Sequence, residues 1–281
     1  MALISSKCGK DDPKGEYVYE YPRPAMTADN VIFGFDGDSL KILLVERGIE
    51  PFKGSWALPG GFMHMDETIE QCARRELSEE TNVHDVYLEQ FHVFSSPKRD
   101  PRGRVVTVAF IALVRPADHA VIGGDDASNA LWFNVDLLPP LAFDHLEIID
   151  MARTHLKELL RIKPVAFRLL NEVFTVDELR RVYEVISGNT YDRRNFHRKL
   201  IQTGVIQDVI PQSGYNNDTD GAGACCTEPS ASFESAAAPA PETPKKGKGR
   251  KLRFFRFNED RQPGTESDDD ASIKDLFNFI E

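Results

Sequence analysis

The feature that most constrains this sequence is a glycine pair followed by a short acidic stretch. The segment LPGGFMHMDETIEQCARRELSEETNV places Gly60 and Gly61 ahead of Glu76, Glu79 and Glu80. On a helix, with about 100° between residues, Glu76 and Glu80 lie about 40° apart around the axis, and Glu79 lies about 60° from Glu76. The three carboxylates are therefore expected at one end of one helix.

The same helix has a face that can pack on a sheet. Ile69, Ala73 and Leu77 recur at four-residue steps, which is the spacing of an inward apolar stripe. Asp66 and Glu67 stand at the predicted helix start, where negative charge complements the helix dipole. We therefore predict a loop, a helix and a second loop from Gly61 to Val83.

The acidic cluster favours a divalent metal site against a diphosphate ligand. Like charges at these spacings repel each other unless a cation lies between them, and hard oxygen ligands select Mg²⁺ or Mn²⁺. Arg75 can orient Glu79, four residues further on, and the two glycines allow close approach of the backbone. The alternative is a solvated acidic helix face, which an isolated pair of glutamates would favour.

Composition limits the broad class of protein. A length of 281 residues allows one large domain or two modest ones, and the net charge of -11 argues against a wholly basic nucleic-acid binder. The four cysteines show neither metal-ligand spacing nor the density of a disulfide scaffold, which favours a reducing cytoplasm. No apolar run approaches the roughly 20 residues of a membrane span, so we expect a cytoplasmic chain with no membrane partner.

Apolar runs predict the strands of a first domain, 17–162, behind a flexible tail, 1–16. ADNVIFGF and LKILLVER, separated by a DGDS turn, predict a hairpin, and YLEQFHVF and VVTVAFIALV predict further strands of a mixed sheet. Helical spacing then continues over 146–161 until Pro164, where we place the domain junction.

Two helix start signals predict a pair of helices in a second domain, 163–257. Thr175 and Glu178 form a predicted capping box, and Gly188 ends that helix. Asp192 can cap a second helix, DRRNFHRKLIQTG, which Gly204 closes. The runs VIQDVI and LRFFRF can then form a strand pair, which together with the helices predicts an α+β winged helix-turn-helix.

The second helix of this pair is basic and amphipathic. Arg194 and Arg198 fall on one side, and Phe196 and Leu200 fall on the other. A solvated helix beside a charged linker is the alternative, but the strand pair favours recognition of double-stranded DNA. The candidate DNA contacts are Arg193, Arg194, Asn195, Arg198 and Lys199.

Two polar segments complete the chain. Residues 213–249 are rich in Ala, Pro, Ser, Gly and Lys, which predicts a disordered insertion in the wing. Residues 258–281 form an acidic C-terminal tail that ends in a short apolar run.

The acidic segment closely resembles the signature of the Nudix hydrolase family. Gly61 is followed after five residues by Glu67, and after seven more by the run RELSEETNV. The resemblance implies an α/β fold, an α/β/α sandwich around a mixed sheet, and metal-assisted attack of water on a diphosphate. It implies that the catalytic residues are Glu67, Arg75, Glu76, Glu79 and Glu80, and that the metal ligands are Glu76, Glu79, Glu80 and the carbonyl of Gly60. Asn82 stands where the family usually has glycine, and asparagine is the next best residue for a left-handed conformation.

A wider resemblance covers most of the chain. The runs YPRPAMTADNVIF, FKGSWALPGGF, RDPRGRVVTVAF and LAFDHLEII, followed by the helix pair, are similar to Nudix-related transcriptional regulators of NAD and sugar metabolism. The resemblance implies a phosphorylated ligand in the Nudix pocket and release of DNA when it binds. The candidate ligand contacts are Arg47, Trp56, Gly61, Arg99, Asp100 and Arg102. Core packing for Trp56 and a solvated turn for RDPRGR remain equally open, and Asp144 and His145 are expected to order the domain junction.

Three functions stay open at this point. The first is a Mg²⁺- or Mn²⁺-dependent hydrolase of an ADP-ribose-like nucleoside diphosphate derivative, fused to a DNA-binding domain. The second is a regulator whose Nudix domain senses a phosphorylated nucleotide or sugar with little or no turnover. The third is a protein-binding role for the second domain. A homodimer is expected in the second case, because two reading helices fit a palindromic site.

Overall fold

The computed structural model describes residues 4–6, 17–19, 23–119, 127–209 and 253–258. Strand β1 (Ile4–Ser6) lies before the first domain. The first domain contains strands β2 (Tyr17–Tyr19), β3 (Ala25–Phe35), β4 (Leu40–Arg47), β5 (Trp56–Ala57), β6 (Gly60–Phe62), β7 (Tyr87–Phe94), β8 (Val105–Val114) and β9 (Ala127–Asn134), and helices α1 (Ile69–Thr81) and α2 (His145–Ile162). The second domain contains helices α3 (Val176–Ser187) and α4 (Arg193–Thr203) and strands β10 (Ile206–Val209) and β11 (Phe254–Phe257). Short 3-10 helices cover Pro116–Asp118 and Val165–Leu169.

A mixed seven-stranded sheet forms the centre of the first domain. Its main order is β5-β4-β3-β8-β7, with β6 added beside β3 and β9 beside β4. Strand β3 pairs antiparallel with β4 and parallel with β8. The hairpin turn closes because the Asp36 carboxylate accepts hydrogen bonds from the amides of Asp38 and Ser39. The predicted hairpin and mixed sheet are confirmed.

Alternating residues of β3 face two helical layers. Val31 and Phe33 belong to the apolar cluster that contains the buried residues of α2, whereas Ile32 packs in the cluster that contains Leu77 of α1. The period of two along the strand therefore places α1 and α2 on opposite faces of the sheet. This is the predicted α/β/α sandwich.

One hydrophobic core continues from the first domain into the second. The cluster that contains Ile111 of β8 and Leu156 of α2 also contains Leu179 of α3, Leu200 of α4 and Phe255 of β11. All five side chains are at most 3 % exposed. The two domains therefore pack as one body within the described part of the chain.

Helix α1 begins later than the sequence suggested. Its N-cap is Thr68, which forms a capping box with Gln71, and the acidic residue of the first turn is Glu70. The prediction that Asp66 and Glu67 start the helix was therefore wrong, because a threonine hydroxyl and a glutamine side chain satisfy the first amides instead. At the other end, Asn82 has φ 58° and ψ 25°, which confirms the expected left-handed conformation.

Several strands were not predicted. β5 and β6 have two and three residues, too few for a periodic pattern, and β9 carries Asn and Ala among its apolar residues. Within the predicted tail, β1 pairs antiparallel with β2. The flexibility of the tail stays a prediction. The other residues of 1–16 lie outside the described residues.

The second domain has the predicted organisation. Thr175 and Glu178 form the capping box of α3, and Asp192 caps α4. Gly188 and Gly204 end the two helices with φ of 80° and 65°. β10 pairs antiparallel with β11, as the winged helix requires. The predicted insertion 213–249 and all but the first residue of the predicted tail 258–281 lie outside the described residues, and the domain boundaries stay predictions.

None of the described helices combines the length and the apolar character that crossing a membrane would need.

Candidate functional site

Arg75 of α1 binds three of the predicted acids. Its Nε and Nη2 donate to the two oxygens of Glu67 at 3.0 and 2.7 Å. Its Nη1 donates to Glu76 at 2.8 Å and to Glu79 at 3.0 Å. Hydrogen bonds from Arg75 lower the pKa of Glu67 to about 2, so Glu67 is charged at neutral pH. Arg75 therefore gathers the acidic residues at one place.

Glu76 lies against the second glycine of the pair. A Cβ on Gly61 would come within 2.2 Å of Glu76 Oε1, so the carboxylate would have to move away. The Glu76 side chain is 13 % exposed, and burial raises its pKa, with further contributions from the charges of Glu79 and Glu67. The glycine thus leaves room for a carboxylate that stands close to the backbone.

Glu80 lies against the first glycine. The Gly60 amide donates to Glu80 Oε2 at 2.9 Å, and a Cβ on Gly60 would lie 2.2 Å from the carbonyl oxygen of Ala28. Burial raises the pKa of Glu80 to about 8, and the negative charges of Glu76 and Asp29 contribute. Both glycines are therefore required by close contacts within this site.

The donor set fits a hard divalent cation. Among the described residues, no three His, Cys, Asp or Glu side chains are placed so that they could hold one metal ion as they stand. Glu76 and Glu79 bind Arg75 instead, while Glu80 accepts from Gly60. The raised pKa values of Glu76 and Glu80 reflect buried negative charge that a cation would stabilise. Glycine-lined carboxylates of this kind match the oxygen ligands that Mg²⁺ and Mn²⁺ prefer.

Two of the predicted ligand contacts are buried behind the glycine pair. The Arg99 side chain is 4 % exposed and forms a bidentate ion pair with Asp144. Its Nε and Nη2 donate to the two carboxylate oxygens at 2.9 and 2.8 Å. Its Nη2 also reaches Asp29 at 3.3 Å. Asp100 is 2 % exposed and accepts hydrogen bonds from the backbone and guanidinium of Arg102. Arg99 and Asp100 therefore face protein rather than solvent.

Arg47 and Arg102 meet around an aromatic ring that sequence reasoning missed. The guanidinium of Arg47 lies 4.9 Å from the centre of the Phe143 ring, and that of Arg102 lies 5.4 Å from it. Arg102 also lies 5.0 Å from the ring of Phe62 and is 37 % exposed. The phenylalanine within LAFDH looks like core in the sequence, so only the folded arrangement reveals its two cationic neighbours.

Trp56 lies apart from these groups. Its ring packs edge-on against Phe133 at 4.6 Å and joins the cluster on the α2 side of the sheet. The Trp56 side chain therefore packs against the core. Its stacking against a ligand stays a prediction.

The predicted DNA contacts are all exposed residues of α4. Phe196 and Leu200 are buried, whereas Arg194 and Arg198 are exposed. Arg198 donates to Asn195 Oδ1 at 3.0 Å. Arg193 forms an ion pair with Asp177, which ties the start of α4 to the start of α3. Lys199 is also exposed. The helix therefore packs through one side and presents its basic side outward.

Comparison with known proteins agrees with both domains. The model of the NUDIX domain matches residues 23–152, and that of the NrtR DNA-binding winged helix domain matches residues 166–213. The ADPR responsive transcriptional repressor NtrR of Acinetobacter baylyi is 37% identical over 193 residues, which is 68% of this chain and 77% of that protein. The chain belongs to the NrtR family of Nudix-domain regulators.

Other known proteins are similar to the first domain alone or to both domains. The ADP-ribose pyrophosphatase of Methanocaldococcus jannaschii is 44% identical over 129 residues, covering 46% of this chain and 73% of that protein. The crystal structure of Shewanella oneidensis NrtR complexed with a 27mer DNA is similar with a TM-score of 0.62 and 31% identity, over 84% of this chain and 94% of that chain. The predicted resemblance and fold class are confirmed.

Proposed function

We propose that this protein is an ADP-ribose-responsive DNA-binding repressor whose Nudix site can also hydrolyse the diphosphate of its ligand. The observation that carries the proposal is the continuous core from β8 through α2 to α3 and β11, because it joins the acidic site and the basic helix in one body. The names of the Acinetobacter repressor and of the archaeal ADP-ribose pyrophosphatase support the choice of ligand.

The ligand site needs a cation before it can accept a diphosphate. We assign Glu76, Glu79, Glu80 and the carbonyl of Gly60 as the groups that hold Mg²⁺ or Mn²⁺. A bound divalent cation supplies charge that stabilises phosphoryl oxygens and makes water a stronger nucleophile. Arg75 keeps Glu67 in place through two hydrogen bonds and can release Glu76 and Glu79, which it holds by one each.

The ligand contacts divide into two groups by exposure. Arg102 is partly exposed beside Phe62 and Phe143, so its guanidinium can donate to phosphate. Arg47 lies on the other side of Phe143. We assign ligand binding to these two arginines, with Gly61 supplying close backbone approach. The sequence-based assignment of Arg99 and Asp100 changes to support of the surrounding loops, since both are buried.

The presence of all the predicted catalytic glutamates favours hydrolysis of the ligand. AMP and ribose 5-phosphate are the products expected from ADP-ribose, and a phosphatase-coupled assay measures them. Wild type should turn over ADP-ribose only with Mg²⁺ or Mn²⁺, and Glu80→Gln should not. Absence of metal-dependent turnover on ADP-ribose and on a panel of related diphosphates would remove hydrolysis and leave the sensing role.

Ligand-responsive DNA binding is tested directly. A gel shift with DNA from upstream of the protein's own gene should show a complex, and ADP-ribose with Mg²⁺ should release it. Two copies on a palindromic site would give a band of twofold stoichiometry. A complex that is insensitive to ADP-ribose at saturating concentration would contradict the sensing role, and no complex with any such DNA would contradict the repressor assignment.

A further inference from the structure

The glycine loop, residues 58–61, runs into β6 at Gly60 and is held at each of its residues. The Leu58 amide donates to Nδ1 of His145 at 2.9 Å, and the carbonyl of Pro59 accepts from the Asn30 amide at 2.8 Å. The Gly60 amide donates to Glu80, and Gly61 lies in contact distance of Glu76. Two of these four attachments are glutamates of the acidic site, so the position of the loop and the position of the glutamates depend on each other.

His145 contacts this loop from the start of α2. It is the first residue of α2 and is 4 % exposed. Because Nδ1 accepts the Leu58 proton, the neutral ring carries its own proton on Nε2. An apolar residue would fill the same space but could not accept this hydrogen bond. The buried amide of Leu58 would then lose a partner.

Arg99 fixes the start of α2, from which His145 projects. Both oxygens of Asp144 accept from Arg99, and Asp144 makes no side-chain cap to its own helix. An aspartate at this position ordinarily accepts from the first helical amides, so its carboxylate is committed to Arg99 instead. The planar pairing of guanidinium and carboxylate sets both the distance and the orientation of the two groups.

Arg99 also reaches the strand beneath the glycine pair. It contacts Asp29, whose Oδ2 accepts a second hydrogen bond from the Thr107 hydroxyl at 2.8 Å. Asp29 is the register partner of Gly60, and a Cβ on Gly60 would lie 2.8 Å from Asp29 Oδ1. Arg99 therefore connects the two supports of the loop, α2 on one side and β3 on the other.

We propose that His145 and Arg99 are positioning residues that hold the Leu58–Gly61 loop where Glu76 and Glu80 can take up a divalent cation and a diphosphate ligand. Neither side chain touches the ligand in this assignment, since both are buried behind the loop. The inference rests on the proposed function of the acidic site. It adds two residues and a defined action, which is to set affinity by placing the backbone of Gly60.

A pair of substitutions at His145 separates positioning from bulk packing. His145→Asn keeps an acceptor, because asparagine can present Oδ1 where histidine presents Nδ1, whereas His145→Leu keeps an apolar side chain without one. The probes are Mn²⁺ alone, followed by the signal of free Mn²⁺ in electron paramagnetic resonance, and ADP-ribose with Mn²⁺, followed by calorimetry. Leu146→Ala is the control, because Leu146 is the next residue of α2 and is exposed.

The expected result is a loss of Mn²⁺ affinity of roughly 10- to 100-fold in His145→Leu, the range seen when groups that orient metal ligands are removed. His145→Asn should recover most of it, and Leu146→Ala should match wild type. Wild-type affinity in a folded His145→Leu variant would overturn the proposal, as would equal losses in the two His145 variants at equal thermal stability.

Arg99→Lys provides a second measurement if His145→Leu does not fold. Lysine keeps the charge but not the two-pronged pairing with Asp144, so Mn²⁺ affinity should fall while the melting temperature stays above the assay temperature. Unchanged affinity in that variant would overturn the proposal. Failure of wild type itself to bind Mn²⁺ would instead overturn the proposed function on which the inference rests.

Discussion

The backbone amide of Gly60 donates a hydrogen bond to the carboxylate of Glu80 over 2.9 Å. The contact joins the glycine loop to the last turn of α1, and both partners belong to the predicted metal site. This hydrogen bond stabilises the charged form of Glu80 and so opposes the rise in its pKa that burial causes.

Glu80→Gln should keep the fold and remove metal-dependent activity. The amide oxygen can still accept from Gly60, but the charge that attracts the cation is lost. We expect turnover and Mn²⁺ affinity to fall by about 10-fold or more. Adding Mn²⁺ should raise the melting temperature of wild type but not of the variant. Glu70→Gln, an exposed glutamate in the first turn of the same helix, is the matched control. A similar Mn²⁺-induced shift in all three proteins would contradict the assignment.

Gly61→Ala should disrupt the site without unfolding the domain. The added Cβ would meet Glu76 Oε1 at 2.2 Å, so the carboxylate must move away. Because only a side chain has to shift, we expect a loss of stability of about 1–3 kcal/mol, as for strained insertions in packed regions, together with loss of ADP-ribose binding. Urea unfolding and calorimetry measure the two quantities. Full ligand affinity in the variant would show that Glu76 need not stand beside Gly61.

Arg75→Met should destabilise the protein through the acids that it leaves behind. Glu67 and Glu76 are both largely buried and would lose their cationic partner. Removing one partner of a buried pair costs about 3–5 kcal/mol, and the partial exposure of this group reduces the expected loss to about 1–3 kcal/mol. Arg75→Lys should recover only part, since lysine cannot bind both oxygens of Glu67 in the same plane. Urea unfolding at pH 7 measures the differences, and equal stability of Arg75→Met and wild type would contradict the central role of Arg75.

Replacing Arg194 and Arg198 by alanine should weaken DNA binding in a salt-dependent way. If both contact phosphate, the slope of log K against log salt concentration should fall in magnitude by about 0.9 for each arginine removed. Fluorescence anisotropy at several salt concentrations measures the slope. Lys157→Ala, which removes an exposed positive charge from α2, is the control and should leave the slope unchanged. An unchanged slope in the double variant would place the DNA interface elsewhere.

Long elements with their own start and stop signals were predictable from the sequence. α3 and α4 each have a side-chain cap and a closing glycine within a few residues, and β8 is a run of ten consecutive residues dominated by apolar side chains. The close spacing of Glu76, Glu79 and Glu80 likewise depends only on helix geometry. In each case the information lies within one segment of the chain.

Features that depend on distant segments could not be predicted in the same way. The ion pair of Arg99 with Asp144 forms only because the turn after β7 meets the start of α2 on the folded sheet. The sequence therefore suggested a ligand contact or a solvated arginine in RDPRGR, where the structure has a buried one. The same holds for Phe143, whose neighbours Arg47 and Arg102 come from the end of β4 and from the turn after β7.

Stability should fall in mildly acidic solution because of His145. Burial is the main cause that lowers its pKa below the ordinary value of 6.5; Arg99 and Arg47 lower it further, whereas Asp29 and Asp144 oppose the change. In the unfolded chain the ring takes a proton as pH drops through about 6.5. The folded state binds it only at lower pH, so the unfolded state binds more protons in that window and the free energy of unfolding decreases as pH falls.

The hydrogen bond from Leu58 also requires the neutral ring, so acid acts against the same contact. Urea unfolding between pH 7.5 and pH 5 measures the dependence, and His145→Asn should reduce its slope below about pH 6.5 because asparagine does not titrate. Equal slopes for wild type and His145→Asn would show that His145 titrates with the same pKa in the folded and unfolded states, which would contradict a buried neutral ring that accepts from Leu58.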